Sequence, residues 1–135
     1  MKEIAKYMAK PRQGNWLLLK RIARYLIGAP RLVHTFEWQN SDSHLSAYTD
    51  SDWAGDKVSR KSTTGGCVMM GRHTIKSWAK TQSVIALSSA ESELYATLKA
   101  ASEALGILAI AKDLDLHIRG EVWGDASAAL GIINR

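Results

Sequence analysis

With one cysteine, Cys67, the chain can form no internal disulfide and no Cys-rich zinc site. That scarcity fits a reducing environment, and an intracellular protein is the expectation. Long apolar runs are also missing: none approaches the ~20 residues needed to span a bilayer, so no membrane segment is expected. The opening MKEIAKYMAKPRQGNW lacks the apolar stretch of a signal peptide. His34, His44, His73 and His117 are dispersed, which leaves no histidine cluster for a transition metal and no evident catalytic base. No repeat, low-complexity tract or linker interrupts the chain.

What is present is ordinary for a globular protein. Apolar residues at 46% and charged residues at 23% argue against disorder and against a coiled coil. Eighteen Lys and Arg against thirteen Asp and Glu give a net charge of +5, which suits a polyanionic partner and equally suits many proteins that bind none.

Periodicity supplies the elements. Asn15 reads as the N-cap of a helix with Trp16, Leu19, Ile22, Ala23 and Leu26 on one face, stopped by Gly28 and Pro30. Leu32 to Trp38 reads as a strand or extended arm. From His44 to Asp52 the residues alternate, with Leu45, Ala47 and Thr49 on one side and Tyr48, Asp50 and Asp52 on the other. Gly66 to Met70 and Thr74 to Ala79, joined at Gly71-Arg72-His73, complete an antiparallel meander. Gly65 and Gly66 read as a tight entry into its second strand, and Trp53 as a core plug. Ser88 and Ser89 cap a long helix whose expected buried stripe is Leu94, Leu98, Ala101, Leu105, Leu108 and Ile110. Ile118 to Gly124 reads as a strand and Asp125 to Ile133 as a further helix.

Asp50 and Asp52 leave one face of a strand, Glu93 is expected in the first turn of a helix, and Asp125 stands where a strand yields to a helix, the edge at which open α/β sheets hold ligands. Acids that converge without His or Cys favour hard cations, Mg²⁺ or Mn²⁺. Two such ions would clamp an in-line phosphodiester displacement. The plainer reading is that thirteen acids will place several at strand ends and helix starts, where capping alone accounts for them.

The run Tyr48-Thr49-Asp50-Ser51-Asp52-Trp53-Ala54-Gly55-Asp56, then Arg60-Lys61-Ser62-Thr63-Thr64-Gly65-Gly66, resembles the opening of the ribonuclease H domain in copia-type retrotransposon polyproteins. Ser77-Trp78, Ala86-Leu87-Ser88-Ser89-Ala90-Glu91-Ser92-Glu93-Leu94-Tyr95-Ala96 and Gly124-Asp125-Ala126-Ser127-Ala128-Ala129 continue the likeness. Asn15-Trp16 through Lys20-Arg21-Ile22-Ala23-Arg24-Tyr25-Leu26-Ile27-Gly28 resembles the tail of the reverse transcriptase segment before that domain.

The resemblance implies an α/β fold: a ribonuclease H-like mixed sheet of three antiparallel strands and one parallel strand, flanked by helices, with an extra N-terminal helix. Residues 1–42 would be the helix and arm of the reverse transcriptase connection, and 43–135 the ribonuclease H-like domain. It implies two Mg²⁺ or Mn²⁺ ions on Asp50, Glu93 and Asp125, and endonuclease hydrolysis of the RNA strand of an RNA–DNA hybrid. Glu91 reads as a helix-start charge. Arg60, Lys61, Arg72 and Lys76 are the basic residues the hybrid backbone could follow. The family's fourth acid, last strand and last helix have no counterpart before Arg135, so the chain looks cut short. The alternative is therefore a truncated or domesticated fragment, catalytically impaired, that offers an unfinished sheet edge to a protein partner.

Overall fold

In the computed structural model, which describes residues 2–5, 7–40, 44–125 and 131, the alternation after His44 becomes β1 (His44–Asp52). Leu45, Ala47 and Thr49 are buried on one face, and Tyr48, Asp50 and Asp52 are exposed on the other. β1 pairs antiparallel with β2 (Thr63–Met70), and β2 pairs antiparallel with β3 (His73–Thr81). On its other side β1 pairs parallel with β4 (Arg119–Trp123), giving the order β3-β2-β1-β4. Parallel neighbours need a crossover, and here α3 (Ser89–Asp113) connects β3 to β4. This is the ribonuclease H-like mixed sheet.

The described residues form two compact units, Met1–Glu37 and Trp38–Arg135. The first holds α1 (Lys2–Ala5) and α2 (Gln13–Gly28). Its N-cap is Arg12, not Asn15. Asn15 lies inside the first turn, and its Oδ1 accepts from the Arg12 backbone N–H at 2.8 Å. Leu32 to Trp38 forms no strand. In the second unit, Gln39 is bound to the β2–β3 hairpin: its Nε2 donates to Met70 O (2.9 Å), and its Oε1 accepts from Arg72 N (2.9 Å). The helix expected over Asp125 to Ile133 falls largely outside the described residues.

The core gathers Leu45 and Ala47 of β1, Val68 of β2, and Ala100 and Ala104 of α3, with Trp78, Ile107, Leu108, Ile118 and Val122 around them. Of the expected leucine stripe, Leu108 packs against this core and Leu94 is half-buried, but the fully buried face of α3 is a different one. Ser92, Glu93, Ala96, Ala100, Ala104 and Ala111 face the sheet, while Leu98 is 57% exposed, Leu105 65% and Ile110 62%. Both stripes obey the helical period, and small side chains on the inner one let the helix backbone approach the sheet. α3 is long and apolar enough, by length and composition, to cross a membrane, yet its small-residue face is packed on β1, β2 and β4.

Two other expectations are corrected. Gly66 is fixed by close approach: a Cβ there would run into the Trp78 ring and come within 2.7 Å of Tyr48 O. Trp53 is 46% exposed and is no core plug; its indole Nε1 donates to Ala86 O (3.1 Å), which fastens the loop after β1 to the segment leading into α3.

Glu103 of α3 holds Lys76 of β3 and Lys99 one turn earlier on its own helix, each at 2.5 Å. The hydrogen bond from Lys76, then that from Lys99, lowers its carboxyl from 4.5 to about 2. A depressed carboxyl stabilises the fold above its unfolded value, and that contribution disappears as pH falls from about 4.5 towards 2. Thermal melts across this window should show Glu103→Gln losing less stability on acidification than the unaltered protein. Parallel curves would exclude the contribution.

Candidate metal centre

Register brings the acids together. The parallel β1–β4 pairing ends at Tyr48 opposite Trp123, so two residues further on each chain stand Asp50 and Asp125, across one strand spacing at the carboxyl ends of both strands. Glu93 projects from the second turn of α3, which starts after its N-cap Ser88. One oxygen from each of Asp50, Glu93 and Asp125 lies within 4.8 Å of the others; Glu93 is buried and the two aspartates are exposed. Oxygens sharing one octahedral Mg²⁺ at about 2.1 Å stand about 3.0 Å apart when adjacent and about 4.2 Å when opposite, so the three side chains would have to draw together to close on a hard cation. An all-carboxylate donor set has that chemistry.

The neighbouring acids do other work. Asp52 turns its carboxylate into the space a side chain at Gly55 would fill, outside the three-acid group. Glu91 caps the helix: its Oε2 accepts from Leu87 N (2.7 Å), while Ser88 Oγ accepts from Glu91 N (3.1 Å).

Glu93 is held by residues that periodicity did not single out. Ser51, between the two strand acids, donates to Glu93 Oε1 from its hydroxyl (2.6 Å) and its backbone N–H (3.1 Å). The fully buried Ser92 donates from Oγ to Ser51 Oγ (2.8 Å), and Gln82 Nε2 donates to Ser92 O (2.9 Å), Ser92 Oγ (3.4 Å) and Thr64 Oγ1 (3.0 Å). The chain Gln82, Ser92, Ser51, Glu93 runs donor to acceptor in one direction and ends on a carboxylate, the order in which each hydrogen bond polarises the next. The Thr49 hydroxyl adds a tie between β1 and α3 by donating to Ala96 O (3.2 Å). The only sequence signal for this network was small polar residues at buried positions of β1 and α3.

The basic residues expected along a nucleic acid are spread out. Arg60 and Lys61 lie in the β1–β2 loop, at the same end of the sheet as Asp50. Arg72 is in the β2–β3 hairpin at the opposite end, since β1 begins opposite Met70, roughly 20 Å of strand from Asp50. Lys76, three residue rows from Asp50, is bound to Glu103.

Over 115 residues the chain is 35% identical to the retrovirus-related Pol polyprotein from transposon RE2 of Arabidopsis thaliana, a match covering 85% of this chain and 8% of that one. It is 31% identical over 130 residues to the Pol polyprotein from transposon TNT 1-94 of Nicotiana tabacum, covering 96% and 10%. The chain belongs to the copia-type transposon Pol polyproteins. As a Pol segment it spans about a tenth or less of the length of these two relatives. The same Pol sequence also matches the secreted RxLR effector protein 161 of Plasmopara viticola, 33% identical over 102 residues, which covers 76% of this chain and 71% of that protein. No family model and no solved structure matches it.

Proposed function

We propose that this Pol segment is a metal-dependent ribonuclease H that hydrolyses the RNA strand of RNA–DNA hybrids. The observation that carries the reading is the meeting of Asp50, Glu93 and Asp125 within 4.8 Å at the carboxyl ends of two parallel strands. Membership of a polyprotein family whose relatives are named retrovirus-related supports it. Two Mg²⁺ or Mn²⁺ ions, when bound, would supply an activated water and stabilise the leaving oxygen of the scissile phosphodiester. Asp50 and Asp125, exposed, face the substrate side and would hold the ions there. Glu93, buried and fixed by Ser51, would anchor the set from within. Hybrid recognition would rest on backbone and 2′-hydroxyl contacts, so cleavage is sequence-tolerant.

The test is a hybrid of labelled RNA annealed to DNA, incubated with Mg²⁺ and with chelator. RNA-strand cleavage that disappears with chelator is expected, and cleavage indifferent to chelator overturns the proposal. A second reading, a non-cleaving module for a protein partner, is favoured by two observations: among the described residues β4 pairs only with β1, and Leu98, Leu105 and Ile110 of α3 face outwards.

A further inference from the structure

The positive charge is not spread over the molecule. Eight Lys and Arg stand against two acids in residues 1–37, and ten against eleven acids in residues 38–135. The first unit thus carries a net charge of +6, and the unit with the three-acid centre is near neutral at −1, so the excess positive charge that attracts a polyanion lies in the first unit. Between Glu3 and Glu37 lie seven cations and no acid. Three of them, Lys20, Arg21 and Arg24, are exposed on α2 at spacings of three and four residues, which set them on one face. Among the described residues no acid pairs with them. Like charges so placed repel one another, and the helix holds nothing that offsets the repulsion.

The opposite face of α2 is apolar, and part of it lines a cavity within the unit. Trp16 and Leu19 line a cavity of about 210 Å³ with Ile4, Tyr7, Met8 and Pro11 from the α1 side. No residue of α2 is buried, Trp16 being 55% and Leu19 41% exposed, so the apolar side is only partly covered within the unit and the cationic side is open to a charged surface.

We propose that the Lys20, Arg21 and Arg24 face of α2 binds the sugar-phosphate backbone of a nucleic acid, without reading its sequence, and adds electrostatic affinity to that of the near-neutral second unit. Charge complementarity carries the assignment of a polyanion; the choice of nucleic acid as that polyanion rests on the activity proposed for the second unit. Because the two units are one chain, a strand held by the first is present at high effective concentration for the second.

The experiment measures binding of the full chain to a short RNA–DNA hybrid, in chelator so that no cleavage intervenes, across a salt series. Three lost phosphate contacts lower the slope of log affinity against log salt by about 2.7, so between about 50 and 200 mM salt the affinity of the unaltered protein should fall roughly 40-fold further than that of Lys20→Gln/Arg21→Gln/Arg24→Gln. Asp50→Asn should keep the full slope, which separates this inference from the proposed chemistry: a cleavage-dead chain that still shows the slope leaves it standing. Equal slopes in the triple variant and the unaltered protein overturn it. So does salt-dependent binding to phosphatidylserine vesicles without binding to the hybrid, which would make the face a membrane-surface one. An unchanged helical circular dichroism signal in the triple variant shows that the fold of α2 is not what was lost.

Discussion

Asp50→Asn is expected to reduce Mg²⁺-dependent cleavage of an RNA–DNA hybrid by roughly a thousandfold or more while leaving the melting temperature within a degree or two of the unaltered protein. Asn keeps the shape of the side chain and removes the charge that would draw a divalent cation, and a metal's stabilisation of the transition state is worth several kcal/mol, at about 1.4 kcal/mol for each tenfold. The fold is insensitive because Asp50 is exposed and stands on the face of β1 away from Leu45 and Ala47. Ser51→Ala belongs in the same assay. It removes the 2.6 Å hydrogen bond to Glu93 Oε1 but keeps the backbone N–H at 3.1 Å, so Glu93 stays near its place without being fixed there. Groups that orient a ligand in this way are worth about 10- to 100-fold in metal affinity or activity. The loss should be partly recovered at higher Mg²⁺, which a purely structural defect would not allow. Full activity in Asp50→Asn would remove the metal centre from the mechanism.

Much of this arrangement is legible in the sequence because it depends on short-range rules. Strict alternation from Leu45 to Thr49 marks β1, and Ser88 with Glu91 three residues on marks the start of α3. With those two boundaries and the strand ending near Gly124, the pattern lets the acids converge, and it is the family resemblance that implies Asp50, Glu93 and Asp125 share one site, as their oxygens do within 4.8 Å. What is not legible depends on partners remote in sequence. Nothing in the local pattern tells that Ser51 meets Glu93 across 42 positions or that Gln82 meets Ser92. Trp53 misleads for the same reason, because its anchor is the carbonyl of Ala86. The charge partition can be counted from the sequence, but its meaning depends on where one compact unit ends and the next begins.

The inner face of α3 departs furthest from the pattern of large apolar residues, and it carries the largest stability prediction. Ala100 has no exposed surface and belongs to the cluster with Leu45, Ala47 and Val68, so Ala100→Leu forces three more carbons between helix and sheet. Over-packing of that kind costs about 1–3 kcal/mol, which in a domain near 100 residues lowers the melting temperature by roughly 5–20 °C. Leu98→Ala makes the opposite change on the outer face. The leucine is 57% exposed and alanine is the better helix former, so the expected change is within about 0.5 kcal/mol. Size alone would rank the two substitutions the other way, since deleting a leucine from a buried stripe costs about 2–5 kcal/mol. The comparison therefore tests which face of α3 meets the sheet. It also bears on the acid centre, because Glu93 shares the inner face with Ala96 and Ala100 and turns towards Ser51 only if that face is the one packed. A Leu98→Ala variant that melts well below Ala100→Leu would rotate the helix and carry Glu93 away from Asp50 and Asp125.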